Sequence, residues 1–104
     1  MIVCVAASNS YSWIHAPSDA DSVLTVAAVN PDGKHSPFSS VGYSADGRIK
    51  PDVAAMGTSV IHQGRKNSIT DGAGTSYATP IIAGLAACLW QKYPEKSNME
   101  IIDA

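Results

Sequence analysis

Apolar residues form unbroken runs at two places in the first third of the chain, and these runs predict strands. Residues 2–7 are all apolar, and residues 23–29 are apolar except for Thr25. Unbroken runs, as opposed to alternating ones, are typical of parallel strands whose two faces are both covered. A third short run at 52–56 predicts one more strand. The pattern therefore indicates an α/β fold with a mostly parallel sheet.

A helix is predicted over residues 75–93, because its apolar side chains recur at the three- and four-residue spacing of a buried face. The residues on that face are Ala78, Ile81, Ile82, Leu85, Ala86, Leu89, Trp90 and Tyr93. The other side carries the small residues Ala83, Gly84 and Ala87. Small residues allow a second layer to approach closely, so we expect this helix to be buried nearly all round. Pro94 ends it, and a second helix is predicted over 98–104.

The segments between these elements are rich in turn-forming residues. Residues 30–33 read Asn-Pro-Asp-Gly, the order of a type I turn with Pro second and Gly fourth. Ser, Gly and Pro dominate residues 34–50, which predicts a surface loop. Residues 58–73 predict a loop-rich hairpin ahead of the long helix.

Charge and length narrow the classes of partner. The 104 residues carry 7 basic and 9 acidic side chains, a net charge of −2, and the basic residues are scattered. Nucleic acid and anionic membrane surfaces attract clustered Lys and Arg, so neither partner is expected. The longest apolar stretch, 81–90, falls well short of the ~20 residues that span a bilayer. Met1 leads straight into an apolar run without a basic leader or cleavage site, so we expect the chain to begin within a strand.

The two cysteines, Cys4 and Cys88, lie inside apolar runs at opposite ends of the chain. Neither has the CxxC spacing or the nearby His that a metal set needs, so no metal site is expected there. We expect two buried thiols. A disulfide between them stays open at this point and would imply an oxidising compartment.

The approach to the long helix carries the strongest chemical signal. Residues 72–76 read Gly-Ala-Gly-Thr-Ser and lead into a helix N-terminus, where free N–H groups and the helix dipole favour negative charge. Such a position suits a nucleophile or an anion. Pro80 would crowd the carbonyl of Ser76, so we expect a distorted first turn. Two plainer interpretations compete: a Thr or Ser N-cap, and a phosphate loop, which the lack of a Lys after the glycines disfavours.

Four segments, taken in order, resemble a known family. Residues 74–80, Gly-Thr-Ser-Tyr-Ala-Thr-Pro, resemble the GTSxAxP segment that carries the nucleophile of subtilisin-like serine proteases. Residues 5–10 resemble the strand that ends in AAGN, residues 38–43 the FSSxG loop, and residues 46–56 the DGRIKPDVxAPG stretch. The chain is therefore identified as a member of this family. The resemblance implies a three-layer α/β fold with a mostly parallel sheet and flanking helices.

The resemblance also implies roles for individual residues. Ser76 takes the position of the nucleophile, and Asn9 that of the side chain that donates to the oxyanion. A serine that attacks a carbonyl needs donors where the negative oxygen forms, and the Asn9 amide and the Ser76 backbone N–H would supply two. Substrate contacts are implied for Ala6, Ala7, Ser8 and Thr75. Ser8 stands where the family has Gly, in the wall of a substrate pocket, so the specificity stays open.

Some of the family's parts are missing. Its triad Asp and His lie on earlier segments, so residues 1–104 resemble the C-terminal part of a catalytic domain. No histidine matches the family's position, and surface or structural roles are expected for His15, His35 and His62. Asp71 lies close to Ser76 in sequence and is expected to serve a turn. Asp52 matches a family position near a weak cation site. A structural role for its carboxylate is favoured, and a bound calcium ion is the alternative. No other cofactor is expected.

These expectations combine into one hypothesis about function. We expect part of a serine endopeptidase that hydrolyses peptide or protein substrates through an acyl-enzyme on Ser76, inactive alone without the triad Asp and His. A catalytically dead subtilase-like binding domain is the alternative. An unrelated esterase is disfavoured, because Ala78 stands where the GxSxG elbow needs Gly. The resemblance implies a secreted or cell-envelope protein, and an open strand edge beside an uncovered apolar face predicts self-association of these 104 residues.

Overall fold

The computed structural model describes all residues from 1 to 104 and contains two small sheets and two principal helices. The main sheet has three parallel strands in the order β1–β2–β3: β1 is Cys4–Ala6, β2 is Leu24–Val29 and β3 is Val53–Met56. The predicted parallel sheet is therefore confirmed. Of the apolar run at 2–7, only the middle pairs as a strand.

The second half of the chain contains a hairpin and the two helices. β4 (Val60–Gln63) and β5 (Ile69–Gly72) pair antiparallel around a short 3-10 turn, which confirms the predicted hairpin. α1 runs from Thr75 to Lys92 and ends just before Pro94, as predicted. α2 (Asn98–Ile102) begins at a capping box between Ser97 and Glu100. Neither helix is long and apolar enough to cross a membrane.

The hydrophobic core lies between β2 and α1. Five side chains make up this core, each more than nine-tenths buried: Leu24, Val26 and Ala28 of β2, and Ala78 and Ile82 of α1. Thr25 lies between two of them and faces the other side of the sheet, where its hydroxyl donates to the carbonyl of Ser18 at 2.6 Å. Both faces of β2 are covered, which explains its unbroken apolar sequence.

The outer side of α1 is exposed, so the prediction of nearly all-round burial is wrong for these 104 residues. Ile81 is 45% exposed and Leu85 63% exposed, although both belong to the apolar pattern. The buried residues of α1 form one stripe, Thr75, Ala78, Ile82 and Ala86. The sheet packs against that stripe and α2 also contacts α1, but neither covers Ile81 or Leu85 fully.

The two cysteines are free thiols, and they form no disulfide. Cys4 is half-buried and Cys88 is exposed on the uncovered side of α1. The prediction of a buried thiol is therefore wrong for Cys88, for the same reason that it fails for Leu85. Burial raises the pKa of the Cys4 thiol.

Residues 34–50 are irregular but more deeply anchored than the predicted surface loop. The preceding turn closes with a bond of 2.9 Å from the Gly33 N–H to the Asn30 carbonyl, and Asp32 has no positive φ, which agrees with type I. The serines that follow are buried at Ser36, Ser39, Ser40 and Ser44. A Ser-rich sequence predicts a loop but not its depth, because the hydroxyl partners of Ser36, Ser39 and Ser40 lie on segments distant in sequence.

Candidate active site

The N-terminus of α1 lies against the end of the main sheet, held there by two glycines. The Gly74 N–H donates to the Gly57 carbonyl, just after β3, at 2.7 Å. A Cβ on Gly57 would lie 2.5 Å from the Cβ of Ala28 and 2.8 Å from the Gly74 carbonyl oxygen, so no side chain fits there. The helix start is therefore fixed directly to the backbone of the sheet.

Asn9 reaches the same helix start from the end of β1. Its Oδ1 accepts two hydrogen bonds of 2.8 Å, one from the Thr75 N–H and one from the Thr75 hydroxyl. An N–H can only donate, so the oxygen of the Asn9 amide must face Thr75 and the NH₂ must face elsewhere. That NH₂ lies beside Gly74, where a Cβ would come within 3.2 Å of Nδ2. Gly74 also has a φ of +151°, in the range that favours glycine.

Asn9 supplies the cap that α1 does not find in its own sequence. The N-cap residue is Gly74, and no side chain of the first turn caps the helix. The plain interpretation of Thr75 or Ser76 as an N-cap is therefore wrong, because Thr75 is already helical and its N–H is bound by a side chain 66 residues away. A cap from another strand ties the two segments into one unit.

Ser76 is the second residue of α1 and is exposed. Its backbone N–H is one of the first N–H groups of the helix, which have no acceptor within the helix. The neighbouring Thr75 is 1% exposed, and its carbonyl accepts from the Thr79 hydroxyl at 2.7 Å. α1 continues through Pro80 without interruption, so the helix is not broken where distortion was predicted.

None of the three histidines forms a hydrogen bond with Ser76. In each, one ring nitrogen bonds a backbone carbonyl: His15 that of Ala16, His35 that of Ser39 and His62 that of Gln63. The His62 ring stacks at a tilt on Tyr77, with centroids 4.8 Å apart. Asp71 pairs with Ile61 across the hairpin and forms no ion pair. The 104 residues therefore hold no general base that touches the Ser76 hydroxyl.

The residues implied in substrate contact differ in their exposure. Ala7 and Thr75 are buried, whereas Ala6 and Ser8 are partly exposed. Ser8 has a φ of +95°, a conformation that L-residues with a side chain rarely adopt. This explains why glycine suits the position in the sequence pattern that the chain resembles.

Asp52 bonds to the backbone of β2 and to a lysine, which indicates a structural role. Its Oδ2 accepts from the Thr25 N–H and from Lys50 Nζ, both at 2.7 Å. The Lys50 side chain is only 4% exposed and also donates to the Val23 carbonyl at 2.9 Å. A lysine ammonium thus lies beside the carboxylate where a cation would bind. No group of three or more His, Cys, Asp and Glu side chains lies close enough together to hold a metal ion.

Two features of the site were not predicted from the sequence. One is Gly57, which the helix start touches, and the other is Ser40, which bonds to the residues around Asn9. The match of residues 38–43 to a family motif marks the Ser40 segment but says nothing of what it contacts. The largest cavity, about 420 Å³, gives no guide, because it lies beside Leu89, about 20 Å along α1 from Ser76.

Comparison with known proteins places this arrangement in a family. The model of the Subtilase family matches residues 1–104. The chain is 34% identical over 125 residues to the serine protease AprX of Bacillus subtilis (strain 168), a match that covers 97% of this chain and 28% of that protein. It is 37% identical over 106 residues to subtilisin DY of Bacillus licheniformis, covering 97% of this chain and 36% of that protein. The chain thus spans about a third of the length of these relatives.

A solved structure shows the same relationship in three dimensions. The prenylagaramide maturation protease PagA superposes with a TM-score of 0.75 at 29% sequence identity, over 88% of this chain and 32% of that one. This likeness confirms a partial α/β fold of the subtilisin type, with a parallel sheet and flanking helices. Together with the family match over every residue, it shows that the chain belongs to the subtilase family.

Proposed function

We propose that the protein containing these residues is a serine endopeptidase that cleaves peptide bonds through an acyl-enzyme on Ser76. The family match supports protease activity, and the observation that carries the residue roles is the pair of hydrogen bonds from Thr75 to Asn9 Oδ1. These bonds join the end of β1 to the residue directly before Ser76. They leave the Asn9 NH₂ available to donate, beside Gly74 at the start of the helix that carries Ser76.

In the proposed reaction, the Ser76 hydroxyl attacks the scissile carbonyl carbon and the carbonyl oxygen becomes negative. The Asn9 NH₂ and the Ser76 N–H donate to that oxygen, and the N-terminal end of α1 adds a favourable dipole. Thr75 holds Asn9 before the substrate arrives, so little reorganisation is needed as charge develops. The leaving amine departs with the proton that the Ser76 hydroxyl gave up to a base, and water then hydrolyses the Ser76 ester.

The proton of the Ser76 hydroxyl needs an acceptor that these residues do not provide. The three histidines are bonded elsewhere, and a serine without a base keeps its ordinary, unreactive hydroxyl. We propose that a His and its orienting Asp come from other residues of the same protein. The 104 residues alone are then inactive. The family likeness also supports a secreted or cell-envelope location and peptide or protein substrates.

The test is the peptidase activity of the full-length protein and of four variants, two at site residues and two as controls. Ser76→Ala should abolish turnover, whereas Ser22→Ala, at an exposed serine far along the chain, should leave it unchanged.

Asn9→Ala should lower kcat by about 10²–10³-fold with little change in KM, the size of effect known for the oxyanion asparagine of subtilisin. Asn98→Ala is the matched control. Full activity in Ser76→Ala would refute the proposal, and a folded wild type that cleaves no peptide would favour the binding-domain alternative.

A further inference from the structure

The loop that contains Ser40 runs alongside the segment that contains Asn9. The N–H groups of residues 11 and 14 donate to the carbonyls of residues 38 and 41, respectively, at 3.1 Å. In return, the N–H groups of residues 40 and 41 donate to the carbonyls of residues 8 and 12, respectively, at 3.0 Å. The loop therefore bonds along the whole stretch that follows β1. No helix or strand of the main sheet holds this stretch in the same way.

Ser40 makes three contacts with this stretch, and they bracket Asn9. Its N–H donates to the Ser8 carbonyl at 3.0 Å. Its Oγ accepts from the Ser10 N–H at 3.3 Å and lies 2.6 Å from the Ser10 hydroxyl. Ser40 itself is fully buried, whereas Ser10 is exposed. One residue thus contacts the residue before Asn9 through its backbone N–H and the residue after Asn9 through its side chain.

Thr75 holds the side chain of Asn9, and the backbone of Asn9 needs an anchor of its own. The residue itself is exposed, and Ser8 before it adopts a φ of +95° that its side chain disfavours. Unfavourable backbone conformations persist only where neighbouring contacts enforce them. Thr75 fixes the Asn9 side chain at its oxygen, and Ser40 fixes the backbone on both sides. Together they leave the NH₂ one orientation.

We infer that Ser40 is a positioning residue that aims the Asn9 NH₂ at the oxyanion by clamping Ser8 and Ser10. This inference rests on the proposed function, in which Asn9 donates to the oxyanion. Ser40 does not touch the substrate and acts only through Asn9. Loss of its hydroxyl frees Ser10, lets the Asn9 amide turn, and weakens a contact that matters most in the transition state.

The test compares Ser40→Ala with Ser39→Ala in the full-length protein. Ser39 is equally buried, but its hydroxyl accepts from the Ala28 N–H in β2 and does not touch the Asn9 segment. Both variants should lose some stability. Only Ser40→Ala should also lower kcat, by about 10-fold or more, with KM nearly unchanged. Equal kcat in the two variants would overturn the inference. Should Ser40→Ala fail to fold, Ser10→Ala removes the hydroxyl contact alone and should show a smaller fall in kcat.

A double-mutant comparison separates positioning from general loss of structure. Ser40→Ala should lower kcat in the wild type but have no further effect on kcat in Asn9→Ala, because the group it positions is gone. An equal relative decrease in kcat in both backgrounds would overturn the inference.

A readout without catalysis separates this inference from the proposed function, which fails if Ser76→Ala remains active. The two Asn9 side-chain NH₂ resonances should be sharp and distinct in the wild type and in Ser39→Ala, and broadened or shifted in Ser40→Ala. Unchanged resonances in Ser40→Ala would refute the positioning role whatever the activity.

Discussion

At the scale of single residues, Ser8 combines a site position with an unfavourable backbone. Its φ of +95° costs a residue with a Cβ about 1–2 kcal/mol, whereas glycine pays only its greater freedom in the unfolded chain. We therefore expect Ser8→Gly to raise the free energy of unfolding by about 0.5–1 kcal/mol. Ser12→Gly, at a neighbouring serine without a positive φ, should lower it instead. Thermal unfolding of both variants checks this, and a Tm for Ser8→Gly as low as that of Ser12→Gly would contradict it.

Asp46 is the residue whose charge links stability to pH. Hydrogen bonds from Arg48 and then Ser44 lower the pKa of its carboxyl to about 2, below the ordinary 3.8. A carboxyl with a lowered folded-state pKa stabilises the fold above its unfolded-state pKa and loses that contribution as the pH falls towards the folded value. At neutral pH the Tm of the wild type should therefore exceed that of Asp46→Asn by only a small amount, because the Asp46–Arg48 pair is exposed to solvent. This difference should shrink further from about pH 4 to about pH 2. A Tm difference that grows on acidification would contradict this assignment.

At the scale of elements, Asp52, just before β3, bonds to the backbone of β2 and pairs with the buried Lys50. Asp52 accepts from Lys50 and from the Thr25 N–H, while its own N–H donates to the Thr25 carbonyl at 2.9 Å. Asp52→Asn leaves the buried Lys50 ammonium without its charge partner and should cost about 1.5–3 kcal/mol of stability in denaturant unfolding. Adding Lys50→Met should restore part of the loss, because no buried charge remains. Asp32→Asn, in an exposed turn, is the control, and equal stability of all three would refute the structural role of the pair.

The elements themselves could largely be predicted from the sequence, and their surroundings could not. The unbroken run around Val26 gave a strand covered on both faces, and the spacing of Ala78, Ile82 and Ala86 gave α1, because these periodicities follow from backbone geometry. The exposure of Leu85 depends on which other segment packs there, and a pattern of apolar residues does not contain that information. The family motifs placed Asn9 and Ser76 in one site, but they did not predict the contact of Asn9 with Thr75, which spans 66 residues.

At the scale of the whole molecule, these 104 residues leave much apolar surface uncovered. The outer side of α1 exposes Ile81 and Leu85, the hairpin exposes Ile61 and Ile69, and β1 and β3 are open edges of the sheet. Such surfaces associate in water. The isolated 104-residue chain should therefore show, by light scattering, a mass above that of one chain that rises with concentration. Leu85→Lys should reduce this association, and a stable monomer at high concentration would contradict the prediction.

The central claim is that Ser76 is a nucleophile activated by groups outside these 104 residues, and a fluorophosphonate probe tests it most directly. The probe reacts with a serine that has a base and an oxyanion site, and mass spectrometry of the digested protein locates the adduct. In the full-length protein we expect stoichiometric labelling at Ser76, and none in Ser76→Ala or in the isolated chain. Absence of labelling in the folded full-length protein, or labelling of Ser76 in the isolated chain, would contradict the account.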